Sequence, residues 1–343
     1  MHIMQSRRHF LARASLAAAA GSLGPRVSLA AEPPPEITTI RLAFAPGYAC
    51  LAPHHLAEAM LRAEGFTDVQ FVTPSGAYGV IESVVAGIVD FEIESAPALV
   101  SAVDSGEPVT TLAGVHPGCY ELFAHEPIRT IADLRGKRVA VDFLGSGPHM
   151  YLAVMLAQVG LDPAADVDWA VNPLDSAMSG ETSSMQRFIA GDVDAYLAFA
   201  PEPQELRGRK IGRVILNTAT DKPWSLYFCC LAFGRQQFVR DHPIATKRYL
   251  RAMLKTADFC ASQPEVAARQ LVDGGFSEHY DYALQTLIDL PYERWREYDP
   301  ADTLRFFALR LHEVGMVEST PNRINERGAD WRFLNELKRE LKA

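Results

Sequence analysis

The sequence contains an internal repeat, which restricts the folds that its 343 residues can adopt. Residues 86–97 read AGIVDFEIESAP and residues 190–201 read AGDVDAYLAFAP, with six of the twelve positions identical. Upstream of each, residues 53–66 (PHHLAEAMLRAEGF) and 148–161 (PHMYLAVMLAQVGL) also match, in the same order and at a similar separation. Two ordered matches predict two copies of one structural unit.

Each copy has a pattern of alternating strands and helices. In the first, apolar residues alternate over 40–44 as in a strand, and a Gly/Pro loop follows over 46–53. The second repeats this order as a strand at 138–142, a loop at 143–147 and a helix at 148–159. The alternation predicts parallel α/β units, whose ligands bind beyond the carboxyl ends of the strands. Two copies that face one another would form a single cleft.

The first thirty residues differ from the rest and predict a signal peptide over 1–30. Adjacent arginines at 7 and 8 resemble a twin-arginine motif, an apolar run follows, and small residues at 28 and 30 suit a cleavage site. The sequence therefore predicts export to the periplasm by the twin-arginine route.

Composition argues against several classes of protein. With 33 Lys+Arg against 42 Asp+Glu, the formal net charge is −9, which disfavours a nucleic-acid or anionic-membrane partner. After the N-terminus no apolar stretch reaches the roughly 20 residues that a membrane span needs. The cysteines lack C-x-x-C spacing, so we expect buried free thiols, no disulfide framework, no metal site and no cofactor. They are Cys50, Cys119, Cys229, Cys230 and Cys260.

Several segments resemble one protein family. They are VVAGIVD at 84–90, TIADLRGKRVAV at 130–141, GSGPH at 145–149, GDVDA at 191–195, and the helix start at 238–243. Together the chain resembles the periplasmic substrate-binding proteins of ABC importers. The most similar group is the nitrate/sulfonate/taurine and thiamine-pyrimidine-precursor binders.

The resemblance implies an α/β, two-lobed periplasmic binding protein fold of type II-like organisation, in which each lobe is a mainly parallel sheet flanked by helices. Lobe one would hold 38–117 plus 225–343, with the C-terminal helices packed on it, and lobe two would hold 119–222. The implied function is to capture a small organic or oxyanion-bearing ligand between the lobes and deliver it to an ABC permease in the inner membrane. We expect a monomer with no catalytic activity.

The candidate ligand-binding residues lie on the predicted cleft loops or near the crossings between lobes. Ser146 precedes a helix N-terminus, where family binders use Ser or Thr for a ligand oxygen; alternatively it only caps the helix. Aromatic rings suit stacking on a flat ligand, and a carboxylate suits an amine or ring N–H. We expect Ser146→Ala and Trp224→Ala to weaken binding without unfolding. The candidates are Tyr48, His54, Ser75, Ser95, His116, Ser146, His149, Glu202, Trp224 and Tyr227.

Two pairs of matching residues invite other interpretations. His54 and His149 occupy equivalent positions and, with a cleft glutamate, offer a weaker metal-site alternative. Asp90 and Asp194 lie in matching Gly-x-Val-Asp turns, which we predict to be structural rather than a catalytic dyad.

No catalytic motif of the forms G-x-S-x-G, H-E-x-x-H or G-x-G-x-x-G occurs, so we expect binding without catalysis. The rival hypothesis is a thiamine-pyrimidine synthase-like enzyme on the same fold, with His54 and the adjacent Cys229 and Cys230 as its site. A solute-sensing partner of a membrane receptor would also use this fold.

Overall fold

The computed structural model describes residues 32–73, 79–172 and 183–341, and its main compact unit begins at Pro35. The predicted signal peptide and the candidate Ser75 lie outside the described residues. Within the described part of the chain, no helix is long and apolar enough to cross a membrane.

The first sheet has five strands in the order β2-β1-β3-β10-β4. β1 pairs in parallel with β2 and β3, whereas β10 is antiparallel to both β3 and β4, so only β10 opposes the common direction. The strands are β1 (Thr39–Ala43), β2 (Asp68–Val72), β3 (Phe91–Ser95), β4 (Val109–Pro117) and β10 (Phe228–Arg235).

The second sheet repeats this topology in the order β7-β6-β8-β5-β9. β6 is parallel to β7 and β8, and β5 is antiparallel to β8 and β9. The strands are β5 (Tyr120–Ala124), β6 (Arg138–Val141), β7 (Asp168–Val171), β8 (Ala195–Phe199) and β9 (Arg213–Asn217). The mainly parallel α/β fold with two sheets predicted from the repeat is thereby confirmed.

Helices flank both sheets and close the chain. Those between the strands are α1 (Ala52–His55), α2 (Glu58–Ala63), α3 (Val80–Val85), α4 (Ala96–Ser105), α5 (Gly147–Gln158), α6 (Ser184–Ala190) and α7 (Glu202–Gly208). After β10 come α8 (Gln236–Asp241), α9 (Pro243–Ser262), α10 (Pro264–Asp273), α11 (Tyr280–Asp289), α12 (Pro300–Glu313), α13 (Pro321–Gly328) and α14 (Arg332–Glu340).

The helices after β10 pack mainly on the first sheet and its helices. The twenty-residue α9 lies against α1, α2 and α14, and α12 lies against α4. Helix α9 is amphipathic, and its buried face includes Tyr249, whose ring stacks on Phe91 of β3 with centroids 4.1 Å apart. This long helix therefore covers the core beside the first sheet.

The matching aspartates have matching structural roles. Asp90 accepts a hydrogen bond from the backbone N–H of Arg41 at 2.7 Å, and Asp194 accepts one from that of Arg138 at 2.8 Å. Each carboxylate thus fastens the turn before β3 or β8 to the strand that pairs with it, β1 or β6. Their predicted structural role agrees with these bonds.

The chain passes between the two sheets twice. The first crossing runs from Pro117 at the end of β4 to Tyr120 at the start of β5, through Gly118 at φ +66°. A Cβ on Gly118 would lie 2.4 Å from the Cα of Ala219, so only glycine fits this close approach. The return crossing leaves β9 at Asn217 and includes a 3₁₀ turn over Trp224–Leu226.

Candidate functional site

Loops from the two sheets meet at an aromatic contact. Tyr48, in the loop after β1, stacks on Phe199 at the carboxyl end of β8, with ring centroids 5.2 Å apart and 14° between the planes. Tyr48 remains 44% exposed, so part of this residue is open to solvent. The carboxyl ends of β1 and β8 therefore form opposite walls of one cleft.

A second contact across the cleft involves a hydroxyl group. Ser95 ends β3, and a Cβ built on Gly147 of α5 would lie 2.5 Å from the Ser95 Oγ, so a larger residue at 147 would clash. The Ser95 hydroxyl is buried and has no hydrogen-bond partner within the described ranges. Because a buried unpaired hydroxyl costs free energy, this group is suited to bonding a ligand atom.

The GSGPH loop is held by hydrogen bonds to the first turn of α5. The Ser146 Oγ accepts from the His149 N–H at 3.3 Å, which is the capping role given above as the alternative. His149 Nδ1 accepts from the Gly145 N–H at 3.0 Å. Burial lowers the pKa of His149 and favours the neutral ring. With Nδ1 accepting, the proton lies on Nε2, which can donate to a ligand.

Carboxylates dominate the electrostatics of the cleft. Burial raises the pKa of Glu202 to about 7, although its carboxylate accepts from the Tyr196 hydroxyl at 2.6 Å and the Phe199 N–H at 3.3 Å. Burial also raises the pKa of Glu94. Burial, with Glu94, Asp142 and Glu202, raises the pKa of Tyr48 to about 12. A raised pKa favours the protonated carboxyl group, so Glu94 and Glu202 offer a ligand an O–H donor as well as acceptor oxygens.

A cavity of about 190 Å³ opens beside Tyr48, and its lining residues belong to the first sheet and its connecting segments. It extends from the carboxyl end of β1 to Glu92 on β3. The lining residues are Ala43, Phe44, Ala45, Tyr48, Leu51, Gly79, Val80, Ser83 and Glu92. A small organic group fits this volume.

His54 does not line the cleft, which corrects its assignment as a ligand contact. Its ring is fully buried, with Nδ1 3.3 Å from the Tyr249 hydroxyl and Nε2 3.5 Å from Glu92 Oε1. Burial lowers the pKa of His54 to about 3 and raises that of Glu92 to about 8, so both groups are neutral near pH 6. His54 is a core histidine, covered by α9.

Trp224 and His116 are also interior residues, so neither offers the exposed surface expected of a ligand contact. Trp224 is 4% exposed and packs edge-on against Phe306, 5.8 Å between centroids. His116 is fully buried and is edge-on to Tyr292. Tyr227 is half-buried and stacks on Phe306 of α12, with 4.0 Å between ring centroids.

Comparison with known proteins identifies the family. Residues 62–267, more than half of the chain, match the family model described as NMT1/THI5 like. The chain belongs to the NMT1/THI5-like family. No curated protein sequence matches it.

Several solved structures match this chain over most of its length. A putative periplasmic sulfonate-binding protein from Methylobacillus flagellatus KT matches at TM-score 0.64 and 18% identity, over 89% of this chain and 95% of the other. The periplasmic nitrate-binding protein from Synechocystis PCC 6803 matches at 0.70 and 16%, over 90% of each. The alkanesulfonate-binding protein from Xanthomonas axonopodis pv. citri, bound to MOPS, matches at 0.64 and 17%, over 84% and 96%. At these low sequence identities the structural matches show a shared fold.

Phe199 and Tyr196 are cleft residues that sequence reasoning missed. The repeat held a signal for Phe199, because the alignment of 86–97 with 190–201 pairs it with Ser95. Ser95 ends β3 and Phe199 ends β8, and these strands occupy equivalent places in the two sheets. Tyr196, which orients Glu202, had no such signal.

Four of the five cysteines of this NMT1/THI5-like protein lie together beside the crossings. All five are buried and unpaired, as predicted. The ligand atoms of Cys50, His116 and Cys119 lie within 4.8 Å of one another, and so do those of Cys119, Cys229 and Cys230. Cys260 belongs to neither group. Among the residues that the structure describes, neither His54 nor His149 belongs to such a group.

Proposed function

We propose that this chain is the exported solute-binding component of an ABC import system, which captures a small organic ligand between two lobes and delivers it to an inner-membrane permease. The observation that carries the proposal is the meeting of Tyr48 with Phe199 and of Ser95 with Gly147. A ligand in this cleft touches both sheets and therefore binds the closed state more tightly than an open one. It shifts the population towards closure, which a permease can recognise.

Under this proposal lobe one comprises 38–117 plus 225–343 and lobe two comprises 119–222. Residues near 118–120 and 221–225 would connect the lobes and act as hinges. The twin-arginine signal over 1–30 would direct the folded monomer to the periplasm.

The cleft chemistry suggests a flat or apolar ligand that carries an amine or ring N–H. Glu94 and Glu202 can accept from such donors, and the aromatic pair Tyr48 and Phe199 offers an apolar face. Phe143 and Leu144, 54% and 57% exposed on the loop after β6, offer further apolar side chains at a carboxyl end of the second sheet. A bare nitrate or sulfonate has no N–H group to donate to these two glutamates.

A ligand screen tests both the binding role and the ligand class. Residues 31–343 would be melted with aminopyrimidines and aromatic amines, and in parallel with matched aromatic sulfonates and nitrate. A ligand that binds only the folded state raises the melting temperature by mass action. We expect a concentration-dependent rise with the N–H donors. A rise with sulfonates alone would overturn the ligand class, and no rise with any compound would contradict the proposed cleft.

Binding without chemistry is favoured over the synthase-like alternative. That alternative needs His54 beside Cys229 and Cys230, but His54 contacts Tyr249 and Glu92 instead. The bound compound should be recovered unchanged by mass spectrometry after prolonged incubation, and the protein should gain no mass. A converted ligand or a modified histidine would restore the enzyme hypothesis.

A further inference from the structure

Four thiols and one imidazole converge beside the two crossings, although they come from separate segments. Cys50 lies on the 3₁₀ turn after β1, His116 near the end of β4 and Cys119 in the first crossing. Cys229 and Cys230 begin β10, directly after the return crossing. All five side chains are buried. Thiolates and imidazoles are the preferred ligands of thiophilic metal ions.

The distance between two of the sulfur atoms suits two ligands of one metal ion. The Sγ of Cys230 lies 3.9 Å from that of Cys119. Two sulfur atoms that bind the same tetrahedral zinc ion, each at about 2.3 Å from it, are roughly 3.8 Å apart. Cys50, Cys119 and a ring nitrogen of His116 lie within 4.8 Å of one another and form a second group, which shares Cys119 with the group of Cys230.

The His116 ring is already oriented as a metal-ligating histidine. Its Nδ1 lies 2.7 Å from the Gly118 carbonyl oxygen and donates to it. Its Nε2 is fully buried and has no hydrogen-bond partner among the residues described. A histidine that donates from one nitrogen to a backbone carbonyl presents a lone pair on the other, which is the usual arrangement in metal sites.

Cys229 does not belong to the ligand set. Its Sγ is 2.7 Å from that of Cys119, closer than two ligands of one ion can lie and longer than a disulfide bond of about 2.05 Å. Formation of a disulfide bond between Cys119 and Cys229 would therefore compete with metal binding by Cys119. A larger metal cluster that includes Cys229 does not fit this distance.

We propose that Cys50, His116, Cys119 and Cys230 bind one thiophilic d¹⁰ metal ion, Zn²⁺ or Cu⁺. Each ligating thiol loses its proton on binding. The ion would join the turn after β1 and the end of β4 to the residues at both crossings. It would thereby fix the geometry about which the lobes move, independently of the ligand in the cleft.

Metal titration of the full chain tests the site. The protein is purified reduced and without oxygen, and is titrated with Co²⁺, then Zn²⁺, with a parallel Cu⁺ titration. We expect one equivalent to bind, with sulfur-to-cobalt charge-transfer absorption that Zn²⁺ abolishes. Competition between Zn²⁺ and Cu⁺ identifies the preferred ion. Absence of uptake of all three ions would overturn the proposal.

Variants assign the ligands. Cys230→Ser and His116→Gln should weaken metal affinity at least about tenfold, whereas Cys260→Ser, a buried cysteine of α9 outside the group, should leave it unchanged. Circular dichroism checks that each variant is folded. If a variant does not fold, the sulfur-to-cobalt absorption of the natural sequence tests whether thiolates bind the metal. Equal binding by Cys230→Ser, or a Cys119–Cys229 disulfide that after reduction gives no metal uptake, would overturn the assignment.

Discussion

The ring of Tyr48 stacks on the ring of Phe199 across the cleft, with 5.2 Å between centroids. Tyr48 follows a strand of the first sheet and Phe199 ends a strand of the second, so the contact joins the two halves of the chain. An aromatic pair of this kind contributes about 0.5–1.5 kcal/mol beyond the area that it buries. The pair helps to hold the closed arrangement and offers one face to a ligand.

Replacement of Phe199 by alanine should weaken ligand binding. We expect about a fivefold loss of affinity, because about 1 kcal/mol of stacking is removed from the closed state. Calorimetric titration with the compound found in the screen measures it. Leu309→Ala, at a residue 40% exposed on α12, is the matched control and should bind as the natural sequence does. Equal affinity in both variants would remove Phe199 from the site.

Two serines of the cleft should respond differently to alanine. Ser95→Ala should lower ligand affinity about fivefold, the value of one hydrogen bond, without lowering the melting temperature, because its hydroxyl has no partner within the described ranges. Ser146→Ala removes a helix cap and should lower the free energy of unfolding by about 1 kcal/mol. Chemical denaturation and ligand titration of both variants separate the two roles. A destabilised Ser95→Ala with normal affinity would contradict this division.

Trp224→Ala should destabilise the protein, contrary to the expectation from sequence of weaker binding alone. Its side chain is buried against Phe306 and Tyr151, so truncation leaves a cavity that costs about 3–5 kcal/mol. The urea midpoint should fall clearly. Leu226→Ala, on the same 3₁₀ turn but 46% exposed, should change it little. A Trp224→Ala midpoint close to the natural one would mean that the residue is not core.

The repeat predicted both sheets because each copy carries its own strand and helix pattern, and local pattern also explained Asp90 and Asp194. His54 was misassigned because its counterpart His149 begins a helix at the cleft, whereas in the first copy α9 covers that position. The cysteine group was not predictable, since no spacing along the chain records it. Its members meet only because β10 inserts between β3 and β4.

Glu92 should make the protein less stable as the pH rises. Burial raises the pKa of Glu92 to about 8 from 4.5, so between these values the folded state keeps a proton that the unfolded chain has lost. Stability therefore falls through this window, by about 2 kcal/mol between pH 6.5 and 8.5. Glu92→Gln should remove this part of the loss, as urea midpoints at the two pH values would reveal. Glu107→Gln, at an exposed glutamate, should retain the natural profile.

The two equivalent aspartates should differ in how much stability they contribute. Asp90 has a side chain only 3% exposed and accepts from the Arg41 backbone N–H at 2.7 Å and from the guanidinium at 2.6 Å. Asp194 is half-buried and bonds the Arg138 backbone N–H, while the Arg138 guanidinium donates to the Asp192 carbonyl. We expect Asp90→Ala to cost about 2–3 kcal/mol and Asp194→Ala about 1 kcal/mol. Urea denaturation measures both costs, and ligand affinity should stay unchanged in the folded variants. Loss of binding in either variant at normal stability would mean that these aspartates do more than fasten the turns.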